Sequence, residues 1–421
     1  MLTTRPRGTN DILPGEVEKW QYIEKVAREV SSLFGYQEIR TPIFEHTELF
    51  LRGVGETTDI VEKEMYSFFD RGERNITLRP EGTASTVRAF LENKIYADPQ
   101  PTKLYYIGPM FRYDRPQAGR YRQFHQFGIE VFGSHHPSVD AEVIGLACTY
   151  LERLKLKGIK VHVNTVGCPK CRPKHHQSLL EYFADRKDNL CKTCQDRLQK
   201  NPLRILDCKN MTCQELSINA PTTQSASCPD CQGHFHQVLN YLDLMGIDYS
   251  VDPRLVRGLD YYTHTAFEIL VEGIGAQSAI CGGGRYNGLI EQCGGKPLPG
   301  IGFAMGMERL LLTLGSEGID LSNLSFKPDV YIAAIGGKSE EMAFKIAIEL
   351  RRKGISAEKD YLGKSLKAQM KAADRFNVKY TVILGEEELN ANKVLIRNMT
   401  TSEQEEIDIS DLISHLERGL R

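Results

Sequence analysis

The stretch LYYIGPMFRYDRPQAGRYRQFHQFGIEVFG, Leu104 to Gly133, restricts this chain more than any other, because two runs with a period of two are joined by a loop. In the second run Phe124, Gln126, Gly128, Glu130 and Phe132 fall on one face, and His125, Phe127, Ile129 and Val131 on the other. In the first run Tyr105, Ile107 and Phe111 share a face, and Leu104, Tyr106, Met110 and Arg112 share the opposite one. Successive strand side chains point to opposite faces. The spacing therefore predicts an antiparallel hairpin with one mostly apolar face and one that presents Gln126 and Glu130 between aromatic rings. Arg112, Arg115, Arg120 and Arg122 surround the loop, which holds Pro116 and Gly119. Two readings stand at this point: a hairpin with one solvated face, or the floor of a site for a small polar ligand with phosphate held at its rim by guanidinium groups.

A chain of 421 residues is too long for one core, so two or three domains are expected. Its net charge of -2 argues against binding nucleic acid through the whole surface and leaves room for local basic patches. No apolar run approaches bilayer length, and MLTTRPRGTND lacks the apolar centre of a signal peptide. The expectation is a soluble, cytoplasmic protein with no membrane partner.

Along the chain, a loop-like start ends at Pro14, and Val17, Trp20, Ile23, Val26, Ala27 and Val30 then recur at helical spacing up to Gly35. YQEIRTPIF reads as one strand, and Pro42, which cannot donate to a ladder, places it at an edge or a bulge. NITLRPEGTASTVRAFL reads as a strand that turns at Pro80 into a helix near Gly82, with Thr83 and Ser85 as caps. Arg79, Glu81 and Thr83 lie at that turn, where side chains can project beyond a sheet. A further helix is expected over 137–156, followed by the short strand IKVHVNTVG.

The composition then changes. Eight of the eleven cysteines fall in one segment, as Cys168 and Cys171, Cys191 and Cys194, Cys208 and Cys213, and Cys228 and Cys231. In a large intracellular chain, CxxC pairs indicate metal ligands before disulfides. Eight thiolates suffice for two tetrahedral zinc sites, with the pairing left open. Bound Zn2+ would supply folding free energy that the few apolar residues of this insertion cannot.

Beyond it, Arg257 precedes Tyr261 and Tyr262, and AFEILV reads as a buried strand. AICGGGRYNGL allows close backbone approach or marks a simple hairpin turn. In GIGFAMGMERLLLTL, Gly302, Ala304 and Gly306 leave one strand face bare, and a helix begins at Met307 with Glu308 and Arg309 in its first turn. A bare strand face beside such an arginine seats a flat ring and a phosphate together. After a linker ending at Pro328, strands and helices alternate, which predicts a compact α/β domain. Within it Lys364, Lys367, Lys371 and Arg375 share one helix face, either a solvated stripe or a surface for a phosphate backbone.

Three of these stretches, YQEIRTPIF with Pro42, the FRYDR hairpin and GFAMGMERLLL, resemble motifs 1, 2 and 3 of the class II aminoacyl-tRNA synthetases. LVRGLDYYTHTAFE and GGGRYNGL resemble the two signature peptides of the histidyl-tRNA synthetase family. The resemblance extends from RGTND into the final α/β domain, which is similar to that family's anticodon-binding domain.

The resemblance implies an α+β catalytic domain on an antiparallel sheet, in two parts (1–166 and 236–325) around a Cys-rich insertion (167–235), and an anticodon-binding domain over 326–421. It implies ATP-dependent attachment of histidine to tRNA(His) through a histidyl-adenylate, with Mg2+ accompanying ATP, in a homodimer. Arg112 would hold the α-phosphate, Arg120 and Arg309 the outer phosphates, and Phe124 would stack on adenine. Glu81, Thr83 and Gln126 would bind the α-amino group of histidine, Glu130 and Tyr262 its imidazole, and Tyr261 and Tyr286 would line the pocket. Arg257 would bridge the histidine carboxylate and the α-phosphate. Arg115 and Gln117, on the hairpin loop, would meet the tRNA acceptor end.

Two departures stand out. Asn287 occupies a place where an aspartate is expected, and the insertion is more cysteine-rich than the family requires. A rival class, a histidine-sensing regulatory subunit of ATP phosphoribosyltransferase, shares the fold but usually lacks the last domain and several of these arginines.

Overall fold

The computed structural model describes residues 3–55, 58, 60–259, 261–271 and 279–420, so Asp260 of the RGLDYY peptide lies outside the described residues. The chain forms two compact units, Met1–Asn323 and Leu324–Arg421.

The first unit is built on an eight-stranded sheet in the order Gln37–Glu38, Thr102–Phe111, Gln123–Phe132, Gly300–Gly306, Ala279–Arg285, Thr263–Val271, Ile159–Thr165 and Tyr249–Val251. Its six central strands are antiparallel, and only the short strands at the two edges pair parallel to their neighbours. The expected hairpin is there, with Phe127, Ile129 and Val131 packed beneath the sheet. Helices Val17–Leu33, Pro137–Arg153 and Met307–Ser316 cover that face and share one core with it. Gly35, at φ +78°, ends the first helix as a left-handed residue.

YQEIRTPIF is not one strand. It splits at Pro42 into Gln37–Glu38, at the edge of the large sheet, and Phe44–His46, in a three-stranded sheet with Asn75–Leu78 and Tyr66–Phe69. Arg79 fills the gap rather than projecting from the sheet: it donates to the Thr41 carbonyl at 3.0 Å and the Pro109 carbonyl at 2.9 Å. The helix Thr83–Glu92 is not capped by Thr83 or Ser85 either. The Glu81 carboxylate accepts from the Thr83 and Ala84 backbone N–H groups at 2.7 and 2.8 Å, which favours an anion at a helix N-terminus.

The Cys-rich segment has a small core of its own around Leu179, Phe183, Leu198 and Ile205. Its last helix, Pro229–Leu244, carries Cys231 at one end and then packs Phe235, Val238 and Leu242 into the main core.

The second unit is a five-stranded mixed sheet in the order Ala357–Lys359, Val330–Ala334, Tyr380–Leu384, Lys393–Asn398 and Gln404–Asp408. The helix Leu366–Phe376 turns Leu366, Met370 and Ala373 inward and leaves Lys367, Lys371 and Arg375 exposed; Lys364 is exposed too but precedes the helix, whose N-cap Ser365 is extended, so it does not share the expected helix face.

Candidate active site

The open face of the large sheet forms the floor of a cleft of about 850 Å³. Register decides what that floor carries. Gly302 pairs with Glu130 and Gly284, and Ala304 pairs with Gly128 and Gly282, so small residues from three strands sit side by side at its centre. The triple glycine is therefore sheet floor and not a hairpin turn. Close approach explains two of these glycines. A Cβ on Gly302 would lie 2.2 Å from Oε2 of Glu130, and one on Gly282 would lie 2.3 Å from a guanidinium nitrogen of Arg257.

Eleven residues singled out in the sequence line this one cleft: Glu81, Thr83, Arg112, Arg120, Phe124, Gln126, Arg257, Tyr261, Tyr262, Tyr286 and Arg309. Glu130 lies just beneath, fully buried. Its Oε1 accepts from the Thr83 hydroxyl at 2.7 Å and the Tyr106 hydroxyl at 3.3 Å, and its Oε2 accepts from the Tyr286 hydroxyl. Burial pushes the Glu130 carboxyl up to about 8, against the pull of these three donors. Burial likewise raises Glu81, although two backbone N–H groups oppose it. Gln126 is nearly buried, and its Oε1 has no partner among the described residues, an acceptor that seeks a donor from the cleft.

Arg257 lies over Gly282, donates to Oε1 of Glu268 at 2.5 Å and has Tyr262 5.5 Å away on its flank. Tyr261 is edge-on to Tyr286 at 5.6 Å, so the tyrosines wall one end of the cleft. At the other end Arg112 donates to the Pro80 carbonyl at 2.8 Å, with its guanidinium 5.3 Å from the centre of the Phe124 ring. Arg120 pairs with Asp114 at 3.1 Å, and Arg309 donates to the Ala279 carbonyl at 2.6 Å.

The four arginines of the hairpin loop do not act together. Arg122 stacks on Tyr113 at 3.7 Å, and Arg115 and Gln117 are exposed on the loop, outside the lining of the cleft. Only Arg112 and Arg120 of that set face in.

Three residues were not singled out for the site. Tyr106 shares a strand face with Arg112, and Glu268 is the lone acid of AFEILV, so both left a signal in the pattern. Lys209 left none, because its place in the cleft follows from how the insertion folds. Behind the floor, the fully buried Arg285 and Asp140 form an ion pair. Burial opposes the Asp140 charge, but Arg285 and a hydrogen bond from His234 hold the carboxyl at about 2. Asn287, at the departing position, donates its backbone N–H to the Thr263 hydroxyl at 3.1 Å.

The cysteines sort into two sets of four, Cys168, Cys171, Cys228 and Cys231, and Cys191, Cys194, Cys208 and Cys213, with the ligand atoms of each set within 4.8 Å of one another. The outer pairs close one set and the inner pairs the other. Backbone N–H groups of Cys228 and Cys191 point at the sulfurs of Cys171 and Cys213, at 3.1 and 3.3 Å.

Residues 8–310 match the family model described as histidyl-tRNA synthetase, and residues 329–418 match that of an anticodon binding domain. The chain is 62% identical over 413 residues to a histidine–tRNA ligase of Desulforamulus reducens, covering 98% of each. It is 58% identical over 416 residues to one from Pelotomaculum thermopropionicum, covering 99% of this chain and 98% of that one. Among solved structures it is similar to apo histidyl-tRNA synthetase of S. aureus, with 43% identity, a TM-score of 0.84 and coverage of 99% of this chain and 100% of that one.

Proposed function

Because the chain belongs to the histidyl-tRNA synthetase family, and so attaches histidine to tRNA(His) using ATP, we propose an assignment of its cleft to the steps of that reaction. One observation carries it: the register that sets Gly302 beside Glu130 also sets Gly282 beneath Arg257, so a bare floor runs between a buried carboxyl and a guanidinium. A free amino acid fits between such groups.

Histidine lies on that floor. Its imidazole takes up Glu130, replacing the Tyr286 hydroxyl as one partner, with Tyr262 at the other nitrogen. Both ring nitrogens need partners, which an apolar pocket would leave unmet. The α-ammonium meets Oε1 of Gln126, with Glu81 and Thr83 beside it. The carboxylate reaches Arg257.

ATP takes the arginine end, with Phe124 against adenine, Arg112 at the α-phosphate, and Arg120 and Arg309 at the outer phosphates. A carboxylate oxygen of histidine attacks the α-phosphorus, the bond to the β,γ-phosphates breaks, and pyrophosphate leaves. Positioning and positive charge dominate such a step, and Arg257 supplies both, held by Glu268. The oxygens of Glu268 and Asp114 on the cleft wall are hard donors that suit Mg2+, which supplies further neutralisation of phosphate charge when bound. The 3′-terminal ribose hydroxyl of tRNA(His) then attacks the adenylate carbonyl and AMP departs, with Arg115 and Gln117 of the exposed loop meeting the acceptor end. Lys364, Lys367, Lys371 and Arg375 contact the anticodon arm.

Each four-cysteine set holds a structural Zn2+. Four sulfurs that close suit a tetrahedral site, and all eleven cysteines are free of disulfides. Exposed Ile43, Phe44, Phe68 and Phe69 around the three-stranded sheet support a homodimer contact. No helix among the described residues is long and apolar enough to cross a membrane, in keeping with a cytoplasmic place of work. A regulatory subunit lacking the last domain is disfavoured by the full-length matches and the match over residues 329–418.

The test is histidine-dependent exchange of pyrophosphate into ATP, run with the twenty amino acids separately. Exchange with histidine alone is expected. Exchange with none of them, in protein that still binds histidine, would overturn the assignment.

A further inference from the structure

We propose that Lys209, presented by the inner four-cysteine set, is an additional cation for the outer phosphates of ATP and for pyrophosphate. This rests on the reading of the arginine end of the cleft as the nucleotide site.

Lys209 belongs to the insertion, between the turn Pro202–Ile205 and the helix Met211–Ser217, yet it lines the cleft together with Arg120 and Arg309. Among the described residues no carboxylate forms an ion pair with Lys209, and Arg309 is held only by a carbonyl, so the single acid paired in this group is Asp114, on Arg120. The neighbouring Asp207 is engaged by Arg204 at 3.2 Å and Arg197 at 3.5 Å. Cations brought this close repel one another; Glu268 of the same cleft, itself paired with Arg257, offsets part of that repulsion, and a polyanion removes more of it on binding.

The backbone that carries Lys209 is fixed on both sides. Cys208 is a member of the inner set, and its sulfur accepts from the Asn210 N–H at 3.5 Å. Asn210 in turn caps the helix Met211–Ser217, its Oδ1 accepting from the Cys213 N–H at 3.4 Å. A flexible lysine on a free loop would lose entropy on meeting a phosphate; on a thiolate-clamped turn, that part of the loss is borne at folding. Metal at the inner set thereby governs affinity for the nucleotide at a distance.

The test measures the ATP and pyrophosphate dependence of histidine-driven exchange in chelator-free protein. Lys209→Met is expected to raise KM for both about tenfold, the size of one charge-assisted contact, with the KM for histidine and the zinc content unchanged, while Lys209→Arg restores most of the loss. An unchanged nucleotide KM in Lys209→Met would overturn the proposal. Arg309→Ala in the same assay separates this failure from that of the underlying reading: if it too leaves the ATP KM unchanged, the nucleotide site itself is misplaced. Stripping metal from the wild type is expected to raise the ATP KM and re-addition of zinc to restore it, with no further rise on stripping Lys209→Met. Independent, multiplying effects would show that the cysteine set does not act through Lys209.

Discussion

Replacing Glu130 by glutamine separates binding from folding at the centre of the site. The carboxyl is fully buried, accepts from three hydroxyl groups and is held up to about 8, so near neutrality it is largely uncharged before histidine arrives. A glutamine amide has the same shape. Its oxygen can keep the Thr83 and Tyr106 donors, while the Tyr286 hydroxyl turns to accept from the amide N–H. At acidic pH, where the carboxyl is protonated in the folded and the unfolded chain alike, stability should change by no more than about 1 kcal/mol, one neutral hydrogen bond rearranged. Histidine loses more, because its imidazole exchanges a charge-assisted bond to a carboxylate for a neutral one, a difference of about 1.5–3 kcal/mol, or roughly 10- to 100-fold in the KM for histidine.

The pH dependence gives a second signature. In the complex, imidazole and Glu130 share one proton. Below about pH 6.5, where free histidine is cationic, binding must release a proton; above about 8, where free Glu130 is ionised, it must take one up. Histidine affinity should hold level between these limits and fall on either side. The alkaline fall near pH 8 should vanish in Glu130→Gln, while the acidic one remains. The sign for stability follows from the same group: a carboxyl whose folded value is raised contributes stability below its unfolded value and loses it as pH rises through about 8, so the wild type should lose more stability than Glu130→Gln in that interval. Histidine titrations by calorimetry and exchange kinetics from pH 5.5 to 9 read all of this. An unchanged histidine KM, or an alkaline limb that survives the substitution, would refute the role of Glu130.

Arg257→Ala should slow single-turnover adenylate formation by orders of magnitude while weakening histidine binding less, and Glu268→Gln, which loosens the same guanidinium, should lower the rate about tenfold; equal single-turnover rates would contradict this. Gly302→Ala should leave little soluble protein or a much weakened histidine site, because its Cβ would meet the Ile129 carbonyl at 2.1 Å as well as Glu130, and a normal melting temperature with normal histidine KM would count against the packed floor. Chelator-free protein should hold about two zinc ions per chain by elemental analysis, four thiolates each, and well under one would remove the metal reading. Reversing Lys367 and Lys371 to glutamate should lower tRNA affinity and flatten its salt dependence, and equal salt slopes would rule that helix out of the contact.

Much of the site was legible because its local grammar is short-range. Alternation in QFHQFGIEVF sorted Gln126 and Glu130 from Phe127 and Ile129, and the order of five motifs carried the family, since both depend only on neighbouring residues and their spacing. Pro42 signalled an edge correctly, but the break it makes into two sheets depends on Arg79 reaching across to Thr41 and Pro109. Arg79, Glu81 and Thr83 looked alike at one turn. In the fold the first is a structural plug, the second both caps a helix and lines the cleft, and the third donates to Glu130.

What the sequence by itself determined is therefore which residues share a strand or helix face, that eight cysteines form a metal-competent set, and which family the chain resembles. Only the tertiary structure decided which cysteines meet, that Gly302 lies beside Glu130, that Arg122 stacks on Tyr113 instead of facing the cleft, and that Lys209 reaches the arginines from the insertion. The physical reason is range. Faces are set by backbone geometry over a few residues, whereas register and apposition come from burying side chains that lie far apart in the chain, and a slip of one residue in a single strand would exchange the packed face for the one that floors the cleft.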